Sequence, residues 1–294
     1  MRFLQLLILG VSLGAIYGLI ALSFVTIFKG TRVFNLAQGG VMLFGVYVAA
    51  LLTDRLGFWA AASIGVAVAA LLSIVLQWVV SLARHSSHLV LTVMTVGLEV
   101  ILAAELSRLI GTRIITVGDP WGDSTVNILG ATIPLSRLAA LLVCVVLIAG
   151  FFIVFRKTRF GIRMRASAAD PETAALMGIS QRRIAMVSWG VGGAMAAIAG
   201  LFLAMFPNPG LEHTAHLLAF NAIPAVIIGG LDSSEGAILG GLIVGITQTV
   251  VTGMSSSLGF LGEGIGDVSP YIVMIVFLLV RPSGIFGTRE LLRV

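Results

Sequence analysis

Amide and carboxyl side chains inside otherwise apolar stretches are the groups through which this sequence could do chemistry. Asn35 and Gln38 stand three positions apart in FNLAQGG, beside Gly39 and Gly40. On a helix that spacing puts both amides on one face. The amides bring neutral hydrogen-bonding dipoles rather than charge, and the glycines remove bulk beside them. If this face lines a path, bulk added at Gly39 blocks passage and spares the fold. Glu99 lies in LTVMTVGLEVILAAEL without a local partner. A carboxylate in an apolar run must face protein or water, and a rival reading makes Glu99 the proton or cation site of an ion-coupled carrier or channel. Glu105 has Arg108 one turn on and reads as an ordinary pair. Asn221 precedes Pro224 in LLAFNAIPAVIIGGL, as in a broken or re-entrant helix. For each of these polar residues, hydrogen bonding between packed helices is the competing reading.

A second group is basic. Seven of the 18 Lys and Arg residues, Arg163 and Arg165 among them, fall in the 28 positions from Arg156 to Arg183. At the centre of that stretch, DPETAALMGI is patterned as a two-turn helix. Asp170 is its N-cap, Pro171 its first residue, Glu172 lies in the first turn and Gly178 is the C-cap. Ala174, Ala175 and Met177 form a shallow apolar face. Charge that only set orientation would not need a capped helix, and such a helix suits a groove on a partner.

Enzyme signatures fail one by one. Lys157-Thr158 follows Arg156 where a phosphate-binding loop needs glycine, so ATP is not bound through that motif. GMSSSLG around Ser255 lacks the second glycine of a nucleophile elbow. GEGIGD from Gly262 follows no strand. His85/His88 and His213/His216 lack the carboxylate of a zinc motif. No catalytic residue, metal site or nucleic-acid surface is expected. A chain with a docking helix and no nucleotide site points to a transporter powered by a separate ATPase.

The elements that must position these residues are apolar spans. The chain of 294 residues is 58% hydrophobic and 11% charged, against about 25% charged in soluble domains. Nine candidates follow: Leu4–Phe28, Leu36–Leu52, Trp59–Leu82, Leu89–Ile110, Pro134–Phe155, Ile184–Phe206, Leu217–Leu231, Ala237–Val251 and Pro270–Val280. The expected fold is an all-α polytopic membrane protein of eight to nine transmembrane helices, with residues 1–294 one permease domain. The first apolar run is too long for a cleaved leader and reads as a retained span. Cys144 is the only cysteine, so no intrachain disulfide forms. TVNILGATIPL alternates around Gly130 like a small hairpin.

Lys29, Arg32, Arg84, the central stretch and Arg281, Arg289 and Arg293 share one side; Arg2, Arg55, Arg108, Arg113 and Arg137 share the other. The richer side is the cytoplasmic one. The 156–183 loop and the C-terminus are therefore expected inside, with parity reversed after Phe206 if the seventh segment does not cross.

Taken together, LGAIYGLIAL, FNLAQGGVMLFGVYVA, FGIRMRASAADPETAALMGI, AIPAVIIGGLDSSEGAILGGLIVG and LLVRPSGIFG resemble the permease subunits of ABC importers for branched-chain amino acids, the LivH type. The resemblance covers nearly the whole chain. It implies that the central loop is a coupling helix for the ATPase. It also implies a second related permease, two cytoplasmic ATPases holding ATP and magnesium, and an extracytoplasmic solute-binding protein, with no cofactor on this chain. NLAQG departs from the family's usual NFAHG, so Gln38 replaces an ionisable histidine. Relatives of the family import urea, short amides or aromatic acids, which stand as alternatives to branched-chain substrates.

Overall fold

The computed structural model describes residues 2–83, 86–128, 131–206, 210, 212–254 and 264–287. Arg84, His85, Gly130, Ser255, Gly262, Arg289 and Arg293 lie outside the described residues.

The elements run in chain order: α1 (Arg2–Thr31), α2 (Gln38–Leu56), α3 (Phe58–Leu82) and α4 (His88–Ile110), then β1 (Thr125–Ile128) and β2 (Ala131–Pro134), then α5 (Leu135–Lys157), α6 (Arg159–Ala169), α7 (Pro171–Leu176) and α8 (Gln181–Leu203). A 3-10 segment (His213–Ala222), α9 (Ile223–Gly229), α10 (Ser234–Gly253) and α11 (Ile265–Val280) complete them. Among the described residues, α1–α5, α8 and α10 are the seven helices long and apolar enough to cross a membrane. The two strands pair antiparallel as the expected hairpin.

Interhelical contact here relies on small residues, because lipid competes for apolar side chains and leaves close approach as the advantage. The tightest example joins α1 to α10. A methyl placed on Gly241 would sit 2.3 Å from the backbone nitrogen of Gly18, and one on Gly245 would sit 2.2 Å from that of Gly14. LGAIYG and LGGLIVG are therefore two halves of one helix seam. α1 and α8 are the most enclosed spans, while α5 turns Leu142, Val145, Val146 and Ile153 outward.

The seventh candidate, Leu217–Leu231, is not one helix. Ten residues of 3-10 helix precede seven of α-helix, although 3-10 runs beyond three or four residues are uncommon. Pro224 cannot donate to the Phe220 carbonyl, and the Tyr271 hydroxyl donates to that carbonyl at 3.3 Å instead. Ala215, Ala219 and Ala222 are buried along the segment, so protein covers its irregular backbone as a membrane interior requires. α11 begins five residues earlier than the sequence suggests and carries Pro270 within it. The carbonyl that Pro270 leaves free, that of Gly266, accepts the Ser269 hydroxyl at 2.8 Å.

Contacts at the two ends settle whether the broken segment crosses. The Arg137 guanidinium, at the start of α5, lies 3.9 Å from the Phe206 ring just beyond α8. At the other end, Arg32 after α1 pairs with Asp232 in the α9–α10 turn. The chain between Phe206 and Asp232 thus passes from one end of the bundle to the other, and the alternation of spans continues. After α11 the chain folds back: Ile285 and Phe286 donate to the carbonyls of Ile228 and Gly229 at 2.8 and 3.2 Å. Gly230 (φ 97°) and Gly284 (φ 77°) sit in the left-handed region there. A methyl on Gly230 would lie 2.6 Å from Gly287 nitrogen.

Candidate translocation and coupling site

The chain leaves α1 at its basic end and re-enters before turning into α2. Residues 33–35 are not helical, and Asn35 therefore lies ahead of α2 rather than on its face. The Asn35 side-chain oxygen accepts the Ala37 N–H at 3.1 Å, an Asx turn that aims the chain into the helix. Its amide donates to Gln38 Oε1 at 3.0 Å. Gln38 in turn donates to Ser23 Oγ and to the Gly192 carbonyl, each at 3.0 Å. The two amides meet as expected, but through a turn. Both are fully buried between α1 and α8.

Two threonines that sequence reading missed hold this re-entrant stretch. The N–H of Phe34 donates to Thr92 Oγ1 at 3.3 Å, and that of Leu36 to Thr95 Oγ1 at 2.9 Å. Their spacing in HLVLTVMT, three apart on an apolar helix, is the signal that could have found them.

Glu99 completes the arrangement. α2 starts without a side-chain cap of its own, since Ala37 occupies that position. Glu99 Oε2 accepts the Gly40 N–H at 2.9 Å and supplies the cap from α4, using a donor that the first turn leaves unpaired. Glu99 Oε1 is buried without a partner among the described residues. A hydrogen bond of this kind contributes about 1 kcal/mol net. We expect Glu99→Gln, which keeps an acceptor, to retain uptake within a few-fold. Glu99→Leu is expected to lower the thermal midpoint of the purified protein. Loss of uptake in Glu99→Gln together with loss of pH dependence would mark Glu99 as an ion site.

Gly39 and Gly40 have a packing reason. A methyl on Gly39 would come within 2.3 Å of the His216 carbonyl in the 3-10 segment, and one on Gly40 within 2.8 Å of Glu99 Oε2. The expectation that bulk at Gly39 spares the fold meets backbone that cannot yield. Gly39→Leu is accordingly expected to reduce assembly of the permease in membranes. A fully assembled variant that hydrolyses ATP with its partners but imports nothing would contradict this. Asn221 lies apart from the two amides and contacts the Tyr271 hydroxyl at 3.4 Å. Glu105 pairs with Arg108 at 2.5 Å on the exposed face.

At the basic end, α7 has both caps. Asp170 Oδ1 accepts the N–H groups of Glu172 and Thr173 at 3.0 and 3.1 Å. The Thr173 hydroxyl, foremost among these donors, holds the Asp170 carboxyl below its ordinary range. The cap is thus ionised throughout the neutral range and is lost only on acidification. At the other end the Ile179 N–H reaches the Ala174 carbonyl and the Gly178 N–H that of Ala175, each at 3.0 Å. This is a Schellman closure with Gly178 left-handed at φ 79°. Ala174 turns inward. The outward apolar residues are Ala175, Leu176 and Met177, with Leu176 88% and Met177 79% exposed. Leu176 was absent from the expected face, because the helix presents its last turn rather than its side.

The basic residues divide by role. Arg163 is exposed. Arg165 folds back to the Phe155 carbonyl and stacks on that ring at 5.2 Å. Arg156 pairs with Glu235 at 3.0 Å. Lys29 donates to Ser234 at 2.9 Å. Arg32 donates to the Ala168 carbonyl at the end of α6 and to Asp232 at 3.3 Å. Gln181 joins α6, α7 and α8: it meets Ser167 Oγ and donates to the Pro171 carbonyl at 3.1 Å. The short helices are thereby tied to α1, α5, α8 and the α9–α10 turn.

This is a multi-pass membrane protein built as a transport subunit, with a hydrogen-bonded helical platform at its basic end. Residues 6–280 match the family model for the permease component of branched-chain amino acid transport systems, and the chain belongs to that family. It is 27% identical to the high-affinity branched-chain amino acid transport permease LivH of Salmonella typhimurium, over 99% of this chain and 98% of the relative. Identity is 30% to the probable branched-chain amino acid permease LivH of Methanocaldococcus jannaschii, over 92% and 88%. Against the BraD permease of Pseudomonas aeruginosa it is 27%, over 100% and 98%. No solved structure gives a significant match. The family is that of ABC importer permeases, which work with ATPase and solute-binding partners in the inner membrane.

Proposed function

We propose that this chain forms half of the path of an importer for branched-chain or other hydrophobic amino acids. A second, related permease supplies the other half. Two cytoplasmic ATPases hold ATP and magnesium, a solute-binding protein delivers substrate from outside, and no cofactor resides on this chain. The basic end, with residues 156–183 and the C-terminus, faces the cytoplasm; the concentration of Lys and Arg there supports that orientation. Residues 1–294 act as one permease domain.

The observation that carries the reading is α7, a doubly capped helix that offers Leu176 and Met177 to solvent while α6 anchors it to the spans. Arg163, Asp170, Pro171, Glu172, Ala175, Met177 and Gly178 belong to this coupling surface, with Arg165 bracing it against α5. In the path, Asn35 and Gln38 offer neutral dipoles, and Asn221 lies beyond them along the 3-10 segment. Gly39, Gly40 and Glu99 set the contact between α2 and that segment. In this reading, movement of the segment off α2 exposes the amides, which are buried between packed helices. The test is uptake of labelled leucine by vesicles containing the whole complex, challenged with isoleucine, urea, acetamide and phenylalanine. Competition by isoleucine alone supports the assignment; competition by urea or acetamide alone replaces it with an amide transporter.

A further inference from the structure

A cavity of about 790 Å³ opens at the basic end of the bundle, between the ends of α1 and α3 and the starts of α4 and α8. Lys29, Arg32, His88 and Arg182 line it, with no acidic side chain among the described residues of its walls. Lys29 and Arg32 spend their hydrogen bonds on Ser234, Asp232 and Ala168. Arg182 and His88 are exposed, and their side chains have no hydrogen bond or ion pair with the described residues.

Below this basic rim, Gln77 of α3 lines the cavity while only 7% exposed. None of the described residues hydrogen-bonds its amide. An amide in a membrane span costs several kcal/mol when left without a partner, so Gln77 is set to meet a polar group arriving from the cavity. Val80, Leu91 and Trp189 are buried in the apolar wall. Trp78 also lines the cavity and is half-exposed, and Leu82 opens it toward lipid at 66% exposure. A half-exposed tryptophan beside arginine is the pattern of the headgroup zone.

A free amino acid would bring an ammonium that no carboxylate among the described wall residues receives. The chemistry fits an anion with an apolar body, entering from the bilayer. We propose that the cavity binds the phosphodiester headgroup of one anionic phospholipid of the adjacent leaflet. Arg182 and His88 face the phosphate, Gln77 bonds the glycerol or headgroup oxygens, and the acyl chains leave past Trp78 and Leu82. Basic pockets between spans on this face commonly take such headgroups. Because Pro171, the first residue of α7, and Gln181 also line the cavity, the lipid braces the mount of the coupling helix.

The experiment uses the full-length permease purified in mild detergent, with lipid retention read by native mass spectrometry. The thermal midpoint is measured with phosphatidylglycerol, phosphatidylethanolamine or inorganic phosphate added. Phosphatidylglycerol alone is expected to raise the midpoint. Arg182→Gln is expected to weaken its retention about fivefold, the effect of one cation beside an anionic surface. Arg183→Gln, the same change one residue away and outside the cavity, is expected to leave retention as in the parent. Gln77→Leu, which keeps the volume, is expected to lower retention while preserving the midpoint measured without lipid. Equal loss in both arginine variants, equal stabilisation by phosphatidylethanolamine, or full stabilisation by inorganic phosphate alone would each overturn the proposal.

Discussion

A permease carrying Leu176→Asp together with Met177→Asp is expected to reach the membrane in the parent's amount and to import nothing. Both side chains point into solvent from a helix held at each end, so charge there costs the isolated subunit little. On a partner surface the same residues are anchors. Buried interface anchors typically contribute about 2 kcal/mol or more each, and losing two weakens the complex by roughly a thousandfold. Co-purification of the ATPases with tagged permease is the direct readout. Glu172→Lys with Ala175→Trp, which changes the side of α7, is expected to act in the same direction. A doubly acidic tip that still retains the ATPases and transports normally would remove α7 from the coupling surface.

The second large effect is expected at Arg32. Its backbone sits at φ 56°, the one described non-glycine residue with positive φ, a position that costs a non-glycine residue about 1–3 kcal/mol. What offsets that cost is the guanidinium fork, which joins the end of α6 to the α9–α10 turn. A cation at a helix C-terminus also complements the exposed carbonyls. Arg32→Ala is therefore expected to leave the ATPases bound and hydrolysing while uptake falls about tenfold, the loss of about 1.4 kcal/mol of coupling. Arg32→Lys, a point charge without the fork, is expected to recover only part of it. The ratio of uptake to hydrolysis separates this role from a structural one: a general loss of folding would lower both together.

Much of this architecture could be read in the residues. Long apolar runs marked the spans, and Asp170, Pro171 and Gly178 marked α7 because capping is local chemistry with few solutions. The hairpin followed from strand-like alternation. What escaped depended on partners far away in the chain. Glu99 looked solitary because its partner is the Gly40 N–H, 59 positions earlier, and no pattern within α4 reveals that. Asn35 and Gln38 were expected on one helical face, yet a turn braced by Thr92 and Thr95 brings them together. Gly39 read as absent bulk beside a path, whereas the 3-10 segment fills that space. The broken seventh span was suggested by Asn221 and Pro224, but its crossing rests on the Arg32–Asp232 and Arg137–Phe206 contacts at opposite ends.

The central claim, an ABC permease driven through α6 and α7, is tested most directly by energising one complex in two ways. Vesicles would contain this permease with its partner permease and ATPases, the binding protein on the outer side, and either ATP inside or a proton or sodium gradient without ATP. The account predicts leucine uptake with ATP alone, abolished by the acidic substitutions at Leu176 and Met177 and insensitive to collapse of the ion gradients. Uptake driven by a gradient in the absence of ATPase subunits, and lost in Glu99→Gln, would contradict it.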